Sequence, residues 1–98
     1  MQVFLNTDGG ARGNPGPAGI GYVVRDESGE VIAEKGEAIG TATNNVAEYK
    51  ALIAGLTACK ALGATRVEAR LDSELVVRQL QGIYKVKEPQ LRLLADEA

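Results

Sequence analysis

Between Thr7 and Gly19 the chain reads Thr-Asp-Gly-Gly-Ala-Arg-Gly-Asn-Pro-Gly-Pro-Ala-Gly, a run almost free of side-chain bulk that carries one acid near its start. Glycine admits positive φ and close approach by other groups, and proline fixes φ and withholds a donor, so this run limits what can be built around it. On its N-terminal side Val3 and Leu5 alternate with Phe4 and Asn6, and the segment Gln2 to Thr7 reads as a strand apolar enough on both faces to be central. Asp8 then falls where such a strand would be buried. A buried carboxylate needs a cation, an arginine or several backbone N–H groups to offset its desolvation. No Lys-Ser or Lys-Thr follows the glycines and the spacing G-x-G-x-x-G opening a helix is absent, which removes two familiar phosphate loops. Beside the ligand-site reading stands a plainer one, a long Gly/Pro hairpin loop whose aspartate caps a turn.

A second strand runs from Gly19 or Ile20 to Arg25, Asp26-Glu27-Ser28-Gly29 is a turn, and a third strand from Val31 to Ile39 completes an antiparallel meander. Glu34, Lys35 and Glu37 within the third strand suit an edge with one wet face. From Asn44 to Leu62 the period becomes helical. Tyr49, Leu52, Ile53, Leu56 and Cys59 form an apolar stripe, and Ala47, Ala51, Ala54, Gly55 and Ala58 form a band of small residues beside it that would let the helix lie close to a sheet. Gly63 stops the helix, and Arg66 to Leu71 reads as a fourth strand, parallel to a neighbour after a right-handed crossover. Ser73 to Gly82 reads as a second helix and Ile83 to Lys87 as a linker. Pro89 fits the first turn of a third helix through Leu91, Leu94 and Ala95, which runs to Ala98 without a cap. The expectation is one α/β domain over 1–98, a mixed sheet with helices packed on it, whose pattern continues beyond Ala98.

A length of 98 residues with 45% apolar content is enough for one core. The lone Cys59 excludes a disulfide framework, and with no secretory segment at the N-terminus a reducing, cytoplasmic setting is expected. No apolar run reaches membrane length. Net charge is −2 and the pI about 5.1, which lacks the basic footprint of a nucleic-acid binder unless a bound divalent cation inverts the local charge. Histidine is absent, so acid–base or metal chemistry must run on carboxylates.

Three acids can converge. Asp8 ends or interrupts the first strand, Asp72 ends the fourth, and Glu48 lies in the first turn of the long helix, leaning toward the sheet. Unscreened, they would raise one another's pKa, so the cluster is intelligible as a cage for hard Mg²⁺ or Mn²⁺. Each also has a structural reading: Glu48 three residues after Asn45 resembles a capping box, and Asp72 before Ser73 suits a helix start. Thr43, Asn44, Asn45 and Asn14 can hold phosphate, base edges or sugar hydroxyls, or can simply cap. Tyr84, Lys85 and Lys87 are solvated or touch a phosphate, and Cys59 reads as core.

Thr7-Asp8-Gly9-Gly10 through Asn14-Pro15-Gly16-Pro17-Ala18-Gly19, then Thr43-Asn44-Asn45-x-x-Glu48, then Leu71-Asp72-Ser73, resemble ribonuclease H type 1 in order, spacing and setting. The resemblance implies a ribonuclease H-like α/β fold and an endonuclease that cuts the RNA strand of an RNA–DNA hybrid with two metal ions, Mg²⁺ or Mn²⁺, and no small-molecule organic cofactor. By the same resemblance Asp8, Glu48 and Asp72 are three of four metal-binding carboxylates. Asn14 and Asn45 read RNA 2′-hydroxyls, Asn44 contacts the DNA side, Thr43 belongs to a DNA phosphate pocket, and Ser73 joins the substrate contacts. Two ions about 3.5–4 Å apart can activate water and stabilise a leaving oxygen. The family's fourth acid and flexible histidine, in a fifth strand and last helix, have no counterpart before Ala98, and Asp96 and Glu97 fall too early. Glu74 replaces a frequent Gln, and Gln81 to Pro89 is too short for the basic protrusion of some members. Two alternatives remain open at this point, a non-catalytic hybrid-binding or interaction module of the same fold and a related polynucleotidyl transferase.

Overall fold

Strand β1 (Gln2–Ala11), β2 (Gly16–Arg25) and β3 (Val31–Ala42) form an antiparallel meander, and helix α1 (Asn44–Ala61) carries the chain to β4 (Arg66–Leu71), which pairs parallel with β1. A fifth strand, β5 (Gln90–Ala95), pairs parallel with β4, giving the sheet order β3-β2-β1-β4-β5. This computed structural model describes residues 1–71 and 90–95. Among the described residues no helix is long and apolar enough to cross a membrane. The mixed sheet with a helix on one face is the expected α/β architecture.

Alternation on β1 decides where the core lies. Val3, Leu5 and Thr7 are buried while Gln2, Phe4 and Asn6 between them are only half-buried, so odd positions of β1 meet α1 and even positions look to the other face. Val24 opposite Leu5, Val67 beside Val3 and Ala69 beside Leu5 extend the apolar layer across three strands, and Leu52 and Cys59 close it from the helix.

The observed strands are longer than the pattern gave. β1 runs on through Gly9, Gly10 and Ala11 and β2 begins at Gly16, so the hairpin loop shrinks to residues 12–15, and β3 runs on to Ala42. Ladder hydrogen bonds need backbone only, and a side-chain pattern cannot register strand made of glycine. The loop is closed by Arg12 N–H donating to Pro17 O at 2.8 Å, Gly13 has a φ of 82°, and a Cβ at Gly16 would run into the Arg12 carbonyl.

The buried face of α1 also differs. Ala47, Ala51, Leu52, Gly55 and Cys59 are buried, whereas Ile53, read as part of the stripe, is 47% exposed. Backbone closeness sets this. A Cβ on Gly55 would stand 2.7 Å from Leu5 Cδ1 and 3.2 Å from Thr7 Cγ2, so the helix rests on β1 along its small residues.

The helix expected from Pro89 through Ala95 is a strand over Gln90–Ala95, and the sheet's fifth strand lies within the chain, where the family resemblance put it beyond Ala98. Leucines at 91, 93 and 94 satisfy a period of two as well as a period of 3.6 over so short a run. What decides is the edge of β4, whose backbone groups find partners in a ladder with β5. The second helix expected over Ser73 to Gly82 falls outside the described residues.

Candidate functional site

Asp8 is exposed, contrary to the burial its strand suggested. The position before it, Thr7, is the buried one at 7% exposure, and the alternation of β1 turns Asp8 to the face away from α1. Across the sheet Asp8 stands opposite Gly21, and Gly21 opposite Gly36, so two strands next to the carboxylate carry no side chain in that row. The result is an open depression of about 700 Å³ whose wall includes Asn6, Asp8, Tyr22, Glu34 and Lys35. Gly21, Gly36, Glu34 and Lys35 were not singled out as site residues; only the register across β2 and β3 brings them there.

Helix α1 reaches the same end of β1 through the next residue. A Cβ on Gly9 would run into the Ala47 carbonyl and stand 2.7 Å from Glu48 N, so the first turns of α1 lie against the backbone beside Asp8. The glycine after the acid therefore serves the approach of Glu48's own backbone. Thr43 is the N-cap, its Oγ1 accepting from Val46 N–H at 3.2 Å, which places Glu48 beyond the first turn. That geometry removes the capping-box reading, because no acid occupies the first turn of α1.

The asparagines divide into two kinds. Asn14 Oδ1 accepts from Asn44 N–H at 3.0 Å, and Asn44 Oδ1 accepts from Ala11 N–H at 2.8 Å. Both side-chain oxygens thus tie the 12–15 loop and the end of β1 to the start of α1. Asn45 is exposed, and among the described residues its side chain makes no hydrogen bond. The structure therefore brings Asp8, Glu48, Asn14, Thr43, Asn44 and Asn45 to one end of β1. Asp72 and Ser73 lie outside the described residues, directly after Leu71 at the end of β4.

Among the described residues no three His, Cys, Asp or Glu side chains are grouped closely enough to hold a metal ion. The donor chemistry fits a hard cation nonetheless: the exposed Asp8 carboxylate offers oxygen only, histidine is absent, and the one thiol, Cys59, is buried in the core. Burial pushes the Cys59 pKa up to about 11, which keeps the thiol protonated and out of metal chemistry.

A meander of three strands, a helix laid on it through glycine, and a parallel strand beside β1, with acids and amides gathered where β1 meets α1, define a ribonuclease H-like domain. The chain belongs to the reverse transcriptase-like family, whose model matches residues 6–98. A bifunctional protein of Mycobacterium tuberculosis is 54% identical over 99 residues, covering 100% of this chain and 27% of that protein. Ribonuclease HI of Halobacterium salinarum is 51% identical over 91 residues, covering 93% of this chain and 46% of the enzyme. The chain thus spans less than half the length of these relatives. Among solved structures, the N-terminal RNase H domain of the Mycobacterium tuberculosis protein, fused to maltose-binding protein, superposes with a TM-score of 0.90 at 41% identity, covering 100% of this chain and 88% of that one. LC11-RNase H1 in complex with an RNA/DNA hybrid gives a TM-score of 0.84 at 45% identity, covering 96% of this chain and 84% of that one.

Proposed function

We propose that this chain is the core of an endonuclease that hydrolyses the RNA strand of RNA–DNA hybrids, with divalent cations, Mg²⁺ or Mn²⁺, held by Asp8, Glu48 and Asp72. The observation that carries it is the close approach of the α1 backbone at Ala47 and Glu48 to Gly9, the residue after the exposed Asp8, in a fold whose relatives include ribonucleases H and a hybrid complex. When bound, such ions lower the pKa of water and stabilise a leaving oxygen.

The chain's own residues supply the rest. Asp8 and Glu48 offer carboxylate oxygens from two elements whose spacing Gly9 fixes, and Asp72 follows the last residue of β4 in sequence. Asn45, with its carboxamide uncommitted within the described residues, can pair with a ribose 2′-hydroxyl, the group that separates RNA from DNA. Thr43 Oγ1 accepts one backbone N–H and keeps its own proton to donate to a DNA-strand phosphate. Asn14 and Asn44 are tied together at the same end of β1, and Ser73 adds a hydroxyl next to Asp72 in the chain. The buried, unpaired Cys59 suits a reducing compartment, and the cytoplasm is the setting we propose.

Incubation with hybrid, duplex DNA and single-stranded RNA of one sequence, each strand labelled in turn, tests the proposal. Cleavage is expected on the RNA strand of the hybrid alone, with Mg²⁺ or Mn²⁺ and not with a chelator. Binding of the hybrid with no cleavage under any divalent metal would favour a binding module instead.

A further inference from the structure

Strand β3 stands at one end of the sheet order, so its outer edge has no neighbouring strand among the described residues. Between two register shifts its ladder with β2 runs unbroken from Ala33 opposite Val24 to Ala38 opposite Gly19. A regular edge of this kind offers unpaired N–H and C=O groups to another strand. Which groups face outward is fixed by the ladder. The Lys35 and Glu37 carbonyl oxygens lie toward β2, each 3.5 Å from where a Cβ on Gly21 or Gly19 would stand, so by alternation Glu34, Gly36 and Ala38 turn their backbone groups outward. A Cβ on Gly36 would meet nothing within 4 Å, which leaves the middle of this edge open.

The charges on the strand select its partner. Lys35 and Glu37 project from one face with their side chains more than half exposed, and Nζ stands 3.9 Å from Oε2, an open pair that holds neither side chain firmly. Antiparallel pairing of β3 with itself about a two-fold axis at Gly36 sets Lys35 of each copy opposite Glu37 of the other, in the non-hydrogen-bonded position where side chains come closest, and sets Glu34 opposite Ala38. An axis at Glu34, Lys35 or Glu37 would put like charges face to face. We infer that the β3 edge is a docking surface for a second copy of this chain, paired antiparallel about Gly36 so that the two sheets become one. Gly36, Glu34 and Lys35 also border the depression beside Asp8, so pairing joins two depressions into one trough. Along it the two Asp8 residues stand five strand spacings apart, ~24 Å. The inference goes beyond the proposed nuclease function and does not rest on it.

Sedimentation equilibrium up to about 1 mM protein, at low salt and with neither nucleic acid nor metal present, tests the docking surface. The parent protein should show a monomer–dimer equilibrium. Lys35→Glu and Glu37→Lys each place like charges opposite one another twice and should each weaken association about tenfold. An equimolar mixture of these two variants faces unlike charges across the axis again and should recover the parent's affinity, as should the double variant Lys35→Glu/Glu37→Lys. Recovery in the mixture also shows that neither single variant has lost its fold. A parent protein that stays monomeric throughout, single variants that associate as the parent does, or a mixture no tighter than either variant alone would each overturn the inference.

Discussion

Asp8 could be picked out of the sequence as a candidate ligand because an acid before a glycine run at a strand end is an unusual combination, yet its exposure could not. Thr7, a polar residue, takes the buried position, and parity along β1 does the rest. Asp26 shows the same sensitivity to neighbours on a smaller scale. Its Oδ1 accepts from Ser28 Oγ at 2.6 Å and from the Ser28 and Glu30 amides, and the Ser28 hydroxyl first of all holds its carboxyl below the ordinary value of 3.8. The stability this adds is present above the unfolded value and is lost as pH falls through the lowered folded one. In an NMR titration, Ser28→Ala should move the Asp26 midpoint up; an unmoved midpoint would mean the hydroxyl does not matter. Cys59 works in the opposite direction. With a folded pKa of about 11 against 9.0 for a free thiol, the unfolded chain ionises first, so stability drops as pH rises from about 9 toward about 11. At neutral pH a thiol reagent should label Cys59 only when urea has unfolded the protein, and rapid labelling of the native state would contradict its burial.

Two glycines set the distance between β1 and α1, and they should not be equally replaceable. At Gly55 an added methyl meets the flexible ends of Leu5, and alanine's better helix propensity, about 1 kcal/mol, partly offsets the crowding, so Gly55→Ala should cost under about 2 kcal/mol. At Gly9 the obstacle is the backbone of Ala47 and Glu48, which cannot turn aside; Gly9→Ala should cost about 3 kcal/mol and weaken Mn²⁺ binding as well. Urea unfolding of both variants, with Mn²⁺ titration of each, measures the difference, and equal losses would remove the close contact at Gly9. The long helix was legible from its period and the small-residue band, which proved to be the face that packs. The strand over Gln90–Ala95 was not, because its leucines fit either period and its ladder depends on the edge of β4, which no local pattern describes. Gly21 and Gly36 were hidden for a related reason: a row across three strands exists only once the register is known.

For the whole molecule, an excess of acid over base must be reconciled with a polyanionic partner. A net charge of −2 predicts that hybrid association needs divalent cation and weakens as salt is added, and binding in chelator as tight as binding in Ca²⁺ would contradict that. The proposed place for the cations is the end of β1, where the start of α1 approaches Gly9, and the central claim is that Asp8 and Glu48 work there as a unit. Single-turnover cleavage of a hybrid labelled on the RNA strand, under saturating protein, tests it most directly. Asp8→Asn and Glu48→Gln should each slow cleavage at least about 100-fold in Mg²⁺ while the thermal midpoint stays within a few degrees of the parent, and the double variant should be little slower than either. Cleavage by Asp8→Asn at the parent rate, in a protein shown to be folded, would contradict the assignment of this end of β1 as the catalytic centre.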